Sequence, residues 1–446
     1  MPTEVGWEKN YYYPRAIIHV DGDSFFAACE VAKNPALKGK PVATGAERGI
    51  VSAATYEAKA LGVKRGVSLA EAKRICPDLV VIESDYETYG LYSERMYAIM
   101  RRYTPIVEEY GIDECFGELT GLRRKFHKSY EAIARDIQAD LTRELNITFG
   151  VGLAPTKVLA KVGSKYRKPN GFTAIPLSEK DRYLASTSVD KIWGIGPNTA
   201  RYLNTLGIRS ALDFARKPAG WVEERVTAPI HDIWKELNGT LVHELVTDPK
   251  ETYQSIQKTR TFRPASQDPV FLFAQLSKNV EGACAKARRF ELSARRISFF
   301  LKTQETFRYR VCELTLERPT NVPSDILPVI ERHMKDLVRP GETYRTTGVT
   351  LSHLAEHAER QPDLFTDPAK IAGKARIFEK VDELSERFGR HTIFLASSMQ
   401  AIVEKTDAEQ HVEYGTSASL RKNAPQRFSG RGMKKLFSLP YLGEVS

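Results

Sequence analysis

Five cysteines among 446 residues are too few and too scattered to staple a fold. Cys29, Cys76, Cys115, Cys284 and Cys312 contain no C-x-x-C pair, which argues against a zinc site or a disulfide framework and fits a reducing cytoplasm. Apolar runs are short, and none approaches the roughly 20 residues of a membrane span. The N-terminal stretch MPTEVGWEKNYYYPR lacks the charged-then-apolar pattern of a leader. Acid is also in deficit: 66 Lys and Arg against 56 Asp and Glu leave a net charge of +10. That balance suits a polyanionic partner, and is equally compatible with a mildly basic surface over a chain of this length.

What the chain does have is a divided set of carboxylates. Asp21 lies in Ile17-Ile18-His19-Val20-Asp21-Gly22-Asp23-Ser24-Phe25-Phe26, and Asp113 and Glu114 lie in Tyr110-Gly111-Ile112-Asp113-Glu114-Cys115-Phe116. Each group follows or interrupts a short apolar run that reads as a buried strand. Carboxylates on neighbouring buried strands repel one another and lose hydration, and a shared cation relieves both costs. Oxygen-only ligands suit a hard ion such as Mg²⁺. Two such ions roughly 3.5–4 Å apart would clamp the attacking and leaving oxygens of a phosphoryl displacement.

Four motifs in order resemble the Y-family of translesion DNA polymerases: bacterial polymerase IV, with features of the polymerase V catalytic subunit. They are Val20 to Glu30 (VDGDSFFAACE), Val51 to Lys59 (VSAATYEAK), Tyr110 to Gly121 (YGIDECFGELTG), and Phe149 to Ala154 with Lys168-Pro169-Asn170-Gly171. The resemblance covers about residues 15–400. It implies a multidomain α/β (α+β) right-hand polymerase with a ferredoxin-like palm, small fingers, a helical thumb carrying a helix-hairpin-helix, and an α+β little finger. The implied activity is DNA-directed DNA polymerisation, a nucleotidyl transfer of low fidelity that crosses damaged template without proofreading, as in SOS mutagenesis. Two departures stand out. Gly111 replaces the family's Ser, leaving room beside the metal site, and Gly22 replaces a larger residue whose carbonyl alone is a ligand.

By that resemblance Asp21, Asp113 and Glu114, with the Gly22 carbonyl, would hold two Mg²⁺ ions. Phe25, Phe26, Ser52, Tyr56, Lys59 and Lys168 would contact the incoming dNTP. Lys59 stands where Arg is commoner, so a point charge replaces a bidentate fork. Phe26 would act as a steric gate against a ribose 2′-hydroxyl. Small residues at Ser52, Ala53 and Ala54 imply a roomy pocket over the templating base, and a loose pocket discriminates weakly.

Domain boundaries follow the same plan: palm 14–24 and 84–178, fingers 25–83, thumb 179–247, linker 248–257, little finger 258–403 and a flexible tail 404–446. The palm reads as strands alternating with helices packed on one face, and Ser68 reads as the N-cap of a finger helix. In the thumb, Gly194, Ile195 and Gly196 precede a helix start, a turn that would receive a DNA phosphate or would simply join two helices. Between Lys258 and Arg310, twelve basic and four acidic residues leave a local +8, either a phosphate-tracking surface or a solvated face. Arg295, Arg296 and Lys302 are its candidate DNA contacts. Gln361-Pro362-Asp363-Leu364-Phe365 resembles the bacterial sliding-clamp peptide, with Gln361, Leu364 and Phe365 as anchors. Partners implied are primer-template DNA, dNTP, a sliding clamp and, for a polymerase V-like member, accessory mutagenesis subunits; a membrane is not among them. The competing reading is a catalytically silent family member serving as a DNA-binding adaptor in a mutasome. Loss of the carboxylates would mark it, and all three are present.

Overall fold

The computed structural model describes residues 13–247, 253–356, 368–388 and 392–402. They fall into two compact units that part after Asp248. The first runs β1 (Ile17–Gly22), α1 (Phe25–Lys33), β2 (Val42–Thr44), β3 (Ala53–Ala54), α2 (Tyr56–Ala60), α3 (Leu69–Ile75), β4 (Val80–Ile82), α4 (Tyr86–Tyr103), β5 (Val107–Gly111), β6 (Glu114–Glu118), α5 (Arg123–Phe126), α6 (Tyr130–Leu145), β7 (Phe149–Ala154), α7 (Lys157–Tyr166) and β8 (Phe172–Ala174). The helices α8 (Lys180–Ala185), α9 (Pro197–Thr205), α10 (Ala211–Ala215), α11 (Ala219–Arg225) and α12 (Ala228–Leu237) follow.

Five strands form a sheet in the order β5-β6-β1-β7-β8, with β1 antiparallel to both neighbours. Alternation along β1 sorts its side chains. Ile18 and Val20 join Tyr89, Met96 and Met100 of α4 and Ile133, Ile137 and Leu141 of α6 in one core. Ile17 turns to the other side and joins Val158 and Leu159 of α7 in a second core with the α8–α12 helices. The expectation of helices on one face is therefore corrected: α7 covers the other. Glycine makes this possible. A Cβ on Gly152 would lie 1.9 Å from the Ala160 carbonyl oxygen and 2.4 Å from the Ser164 nitrogen, so only a bare strand lets α7 approach. Gly152→Ala is expected to cost about 3 kcal/mol through backbone displacement. Urea unfolding checks this, and an unchanged midpoint would refute the close-packing argument.

The strands β3-β2-β4 form a small separate sheet whose core is built from Ala43, Val51, Ala54, Ala58 and Leu79. Ser68 caps α3 as expected, accepting a hydrogen bond from the Glu71 N–H at 3.2 Å.

The second unit contains β9 (Ser255–Ser266), α13 (Pro269–Arg289), β10 (Leu292–Thr303), β11 (Tyr309–Thr320), α14 (Pro323–Met334), β12 (Tyr344–Glu356) and α15 (Pro368–Phe388). Its sheet has the order β11-β10-β12-β9, antiparallel throughout. Ile297, Phe299 and Leu301 of β10 pack with Leu272, Leu276 and Val280 of α13 and Ile326 and Ile330 of α14. Two differences from the sequence reading appear here. The stretch read as a linker reaches into β9, because Ile256 is buried opposite Leu351. The helix α15 was not anticipated; Arg288 anchors it, donating to Asp382 at 2.6 and 2.8 Å.

Candidate active site

The register of the first sheet places Asp21 directly opposite Glu114. Asp113 sits beside them because Ile112 and Asp113 form the two-residue turn between β5 and β6. The Gly22 N–H donates to the Asp113 carbonyl at 2.8 Å, which fastens that turn to the end of β1. Asp21 thus meets Asp113 and Glu114, which lie more than 90 positions further along the chain, at one end of the sheet. Both glycine departures are accommodated locally. A Cβ at Gly111 would lie 3.3 Å from Glu114 Cγ, so its absence gives the carboxylate room. A Cβ at Gly22 would lie 2.6 Å from Phe25 Cδ2, so glycine lets that ring tuck beneath the strand end.

Electrostatics divide the three acids. Burial and the charges of Asp21 and Glu114 raise the Asp113 carboxyl above its ordinary range. Burial also pushes Glu114 upward, but His19 and Lys161 outweigh it and hold that carboxyl at about 2. Lys161 Nζ donates to Glu114 Oε1 at 3.0 Å and lies 2.9 Å from Oε2. Lys168 pairs with Asp21 and lies 3.3 Å from Asp23 Oδ1. His19 is fully buried, with Nδ1 2.7 Å from Ser164 Oγ and Nε2 3.3 Å from Glu114 Oε2. One atom each from His19, Asp21 and Glu114 falls within 4.8 Å of the others. The oxygen donors of Asp21, Asp113 and Glu114 fit a hard divalent ion, and Asp113 has no ion-pair partner among the described residues.

Around this centre the structure gathers most of the residues read as nucleotide contacts. Asp23 is nearly fully buried and acts as a hub. It accepts hydrogen bonds from Tyr56 Oη at 3.3 Å, Thr148 Oγ1 at 2.9 Å and the Asn170 N–H at 2.7 Å. Lys59 donates to Ser24 Oγ at 2.7 Å and lies over the Tyr56 ring. Burial and the neighbouring Lys168 lower the pKa of its ammonium. Phe26 is half-buried and stacks on Tyr89 at 4.6 Å. Phe25 belongs to the core at 3% exposure, so its ring does not line the site. Ser52 is partly buried, and its N–H donates to the Thr44 carbonyl at 2.8 Å.

His19, Asp23 and Lys161 were not singled out from sequence. His19 precedes Asp21 by two residues on the same face of β1, a signal alternation could have provided, whereas Asp23 lies in the turn just past the strand. Lys161 had no local signal, since only the packing of α7 brings it to Glu114.

Elsewhere, Gly194 has φ +87°, where glycine is favoured, and Gly196 is the N-cap of α9 with open space around it. Arg295 is exposed at a β-bulge in β10, and Arg296 pairs with Glu313 at 3.0 Å. Lys302 lies over the rings of Phe307 and Tyr309, which are 52% and 58% exposed. Gln361, Leu364 and Phe365, and the tail 404–446, lie outside the described residues. No helix among the described residues is long and apolar enough to cross a membrane.

Comparison with known proteins identifies the family. Residues 20–165 match the impB/mucB/samB family, and residues 253–364 match that family's C-terminal domain. A DNA polymerase IV of Dehalococcoides mccartyi is 31% identical over 379 residues, which is 84% of this chain and 95% of that protein. A DNA polymerase IV of Bacillus velezensis is 30% identical over 391 residues, 85% of this chain and 92% of that one. A solved Y-family DNA polymerase chimera of Dbh and Dpo4 superposes with a TM-score of 0.64 at 25% identity, covering 76% of this chain and 99% of its own. The chain belongs to the impB/mucB/samB family and is a Y-family, DinB-like polymerase. Its activity is DNA-directed DNA polymerisation, which requires DNA, deoxynucleotides and a divalent metal.

Proposed function

We propose that this polymerase extends primers by two-metal phosphoryl transfer at Asp21, Asp113 and Glu114, with low fidelity and with bypass of damaged template. The observation that carries the reading is the meeting of Asp21 and Glu114 as cross-strand partners beside a carboxyl, Asp113, raised by burial and by their charges. Two bound Mg²⁺ ions would acidify the primer 3′-hydroxyl and neutralise the leaving pyrophosphate. The chain itself supplies alignment and fixed charge, since phosphoryl transfer asks for little else. Strands hold Asp21 and Glu114 rigidly, and Asp23 fixes Tyr56 next to Lys59 and Lys168, where all three can grip the triphosphate. Phe26 forms a wall against the sugar.

In this reading the five-stranded sheet is the palm, the small three-stranded sheet belongs to the fingers, and the α8–α12 helices form the thumb. The turn at Gly194, Ile195 and Gly196 and the basic face with Arg295, Arg296 and Lys302 would follow the DNA backbone. Small residues at Ser52, Ala53 and Ala54 would leave a roomy pocket over the templating base. Clamp tethering through Gln361, Leu364 and Phe365 would raise the effective concentration at a primer end. The cytoplasm and a role in the damage response complete the proposal.

Primer extension on undamaged and abasic templates tests it. Extension and abasic bypass are expected with Mg²⁺, with complete loss in EDTA and recovery when Mg²⁺ is restored. Extension that stalls fully at the abasic site would overturn the bypass reading.

A further inference from the structure

The metal-facing carboxylate Glu114 is not held by the sheet alone. Two lysines one helical turn apart on α7, Lys157 and Lys161, are both buried, and each is paired with a carboxylate of the β5–β6 hairpin. Lys157 takes Glu108, with Nζ at 2.8 and 2.6 Å from the two oxygens. Lys161 takes Glu114. An indole from a distant part of the chain stands against both ammonium groups. The Trp193 ring centroid is 5.2 Å from Lys161 Nζ and 5.8 Å from Lys157 Nζ. Tyr110 supplies the other wall for Lys161 at 4.4 Å, and Trp193 Nε1 donates to Tyr110 Oη at 2.9 Å, which locks the two rings edge to face.

We propose that Trp193 is a positioning residue for Glu114, acting through the Lys161 ammonium that it and Tyr110 enclose. The inference rests on the reading of Glu114 as a metal ligand. A lysine has three donors on a flexible stem and would by itself leave its partner's rotamer loose. Two aromatic faces attract the cation and remove that freedom. Glu114 then accepts from a fixed ammonium, so its oxygens keep one orientation toward Asp21 and Asp113. Groups that orient a metal ligand without touching the ion typically change metal affinity or activity by about 10–100-fold when lost. Trp193 immediately precedes Gly194, so the turn read as a phosphate contact also sets the indole in place.

The test separates a cation cage from simple packing. Trp193→Phe keeps an aromatic face, whereas Trp193→Leu keeps apolar bulk without one. Two quantities are read on the full chain: the Mg²⁺ concentration giving half-maximal single-nucleotide insertion, and Mn²⁺ binding without turnover, followed by the electron paramagnetic resonance signal of the free ion. The Leu variant is expected to weaken both about 10-fold, with the nucleotide KM unchanged, while the Phe variant stays within about threefold of the parent. Equal behaviour of Leu and Phe, whether both impaired or both normal, would overturn the proposal. Glu114→Gln is measured alongside: parental Mn²⁺ binding and insertion in that variant would refute the metal-ligand reading itself, a failure distinct from that of the cage.

Discussion

Asp113→Asn is expected to reduce primer extension by roughly 10³-fold or more while leaving DNA binding and stability intact. The substitution preserves shape and removes one negative charge where divalent ions would sit. An ion clamp contributes several kcal/mol of transition-state stabilisation, and each 1.36 kcal/mol is about tenfold in rate. The sign on stability is opposite to the sign on activity. The folded Asp113 carboxyl is raised above its ordinary value by burial and by Asp21 and Glu114, so its ionised form is disfavoured in the native state. That cost is present at neutral pH and disappears as pH falls below the ordinary carboxylate range, where folded and unfolded forms are both protonated. In metal-free buffer at pH 7 the Asn variant should therefore melt no lower than the parent. Its neighbour reverses this. Glu114 is held at about 2 against its burial by His19 and Lys161, so it contributes stability above its ordinary range, and this is lost as pH falls toward 2. Glu114→Gln should lower both activity and melting temperature. If Asp113→Asn keeps more than a tenth of parental extension, the carboxylate reading fails.

This contrast shows what the sequence made legible and what it did not. The carboxylates and the strands bearing them were readable because alternation and apolar runs are local signals. The pairing of Asp21 with Glu114 was not, since register depends on which strands meet across the fold. The opposite fates of Asp113 and Glu114 depend on Lys161 and His19, and Lys161 comes from a helix whose approach is permitted by Gly150 and Gly152. Those glycines read from sequence as part of an apolar strand, so the covered second face of the sheet went unseen. The strand β9 was partly missed for a different reason. Only Ile256 and Phe262 are buried along its twelve residues, and its polar stretch reads as a connection. Trp193 carries no local signal, because nothing in its sequence neighbourhood announces two buried lysines from α7.

The second large effect concerns the sugar. Phe26→Ala is expected to raise ribonucleotide insertion relative to deoxynucleotide insertion by about 100-fold, on the scale by which a pocket rejects one added hydroxyl. A gate works only if it cannot swing aside. The Phe26 ring lies nearly parallel to Tyr89, with centroids 4.6 Å apart and planes 13° apart, and edge-on to Tyr86 at 5.5 Å. Tyr89 is itself immobilised: its ring is fully buried, and its hydroxyl donates to Glu30 at 2.8 Å. The wall is therefore backed by a fixed aromatic, and a 2′-hydroxyl would meet the ring rather than displace it. Truncation also removes that stacking and should cost about 1 kcal/mol of stability. The ratio of ribonucleotide to deoxynucleotide insertion is measured on one preparation, so the fraction folded cancels and the ratio reports the gate alone. Phe26→Tyr, which keeps the ring, should leave the ratio within a fewfold of the parent. A ratio unchanged in Phe26→Ala would mean that this ring serves the core it leans on and that sugar discrimination lies elsewhere.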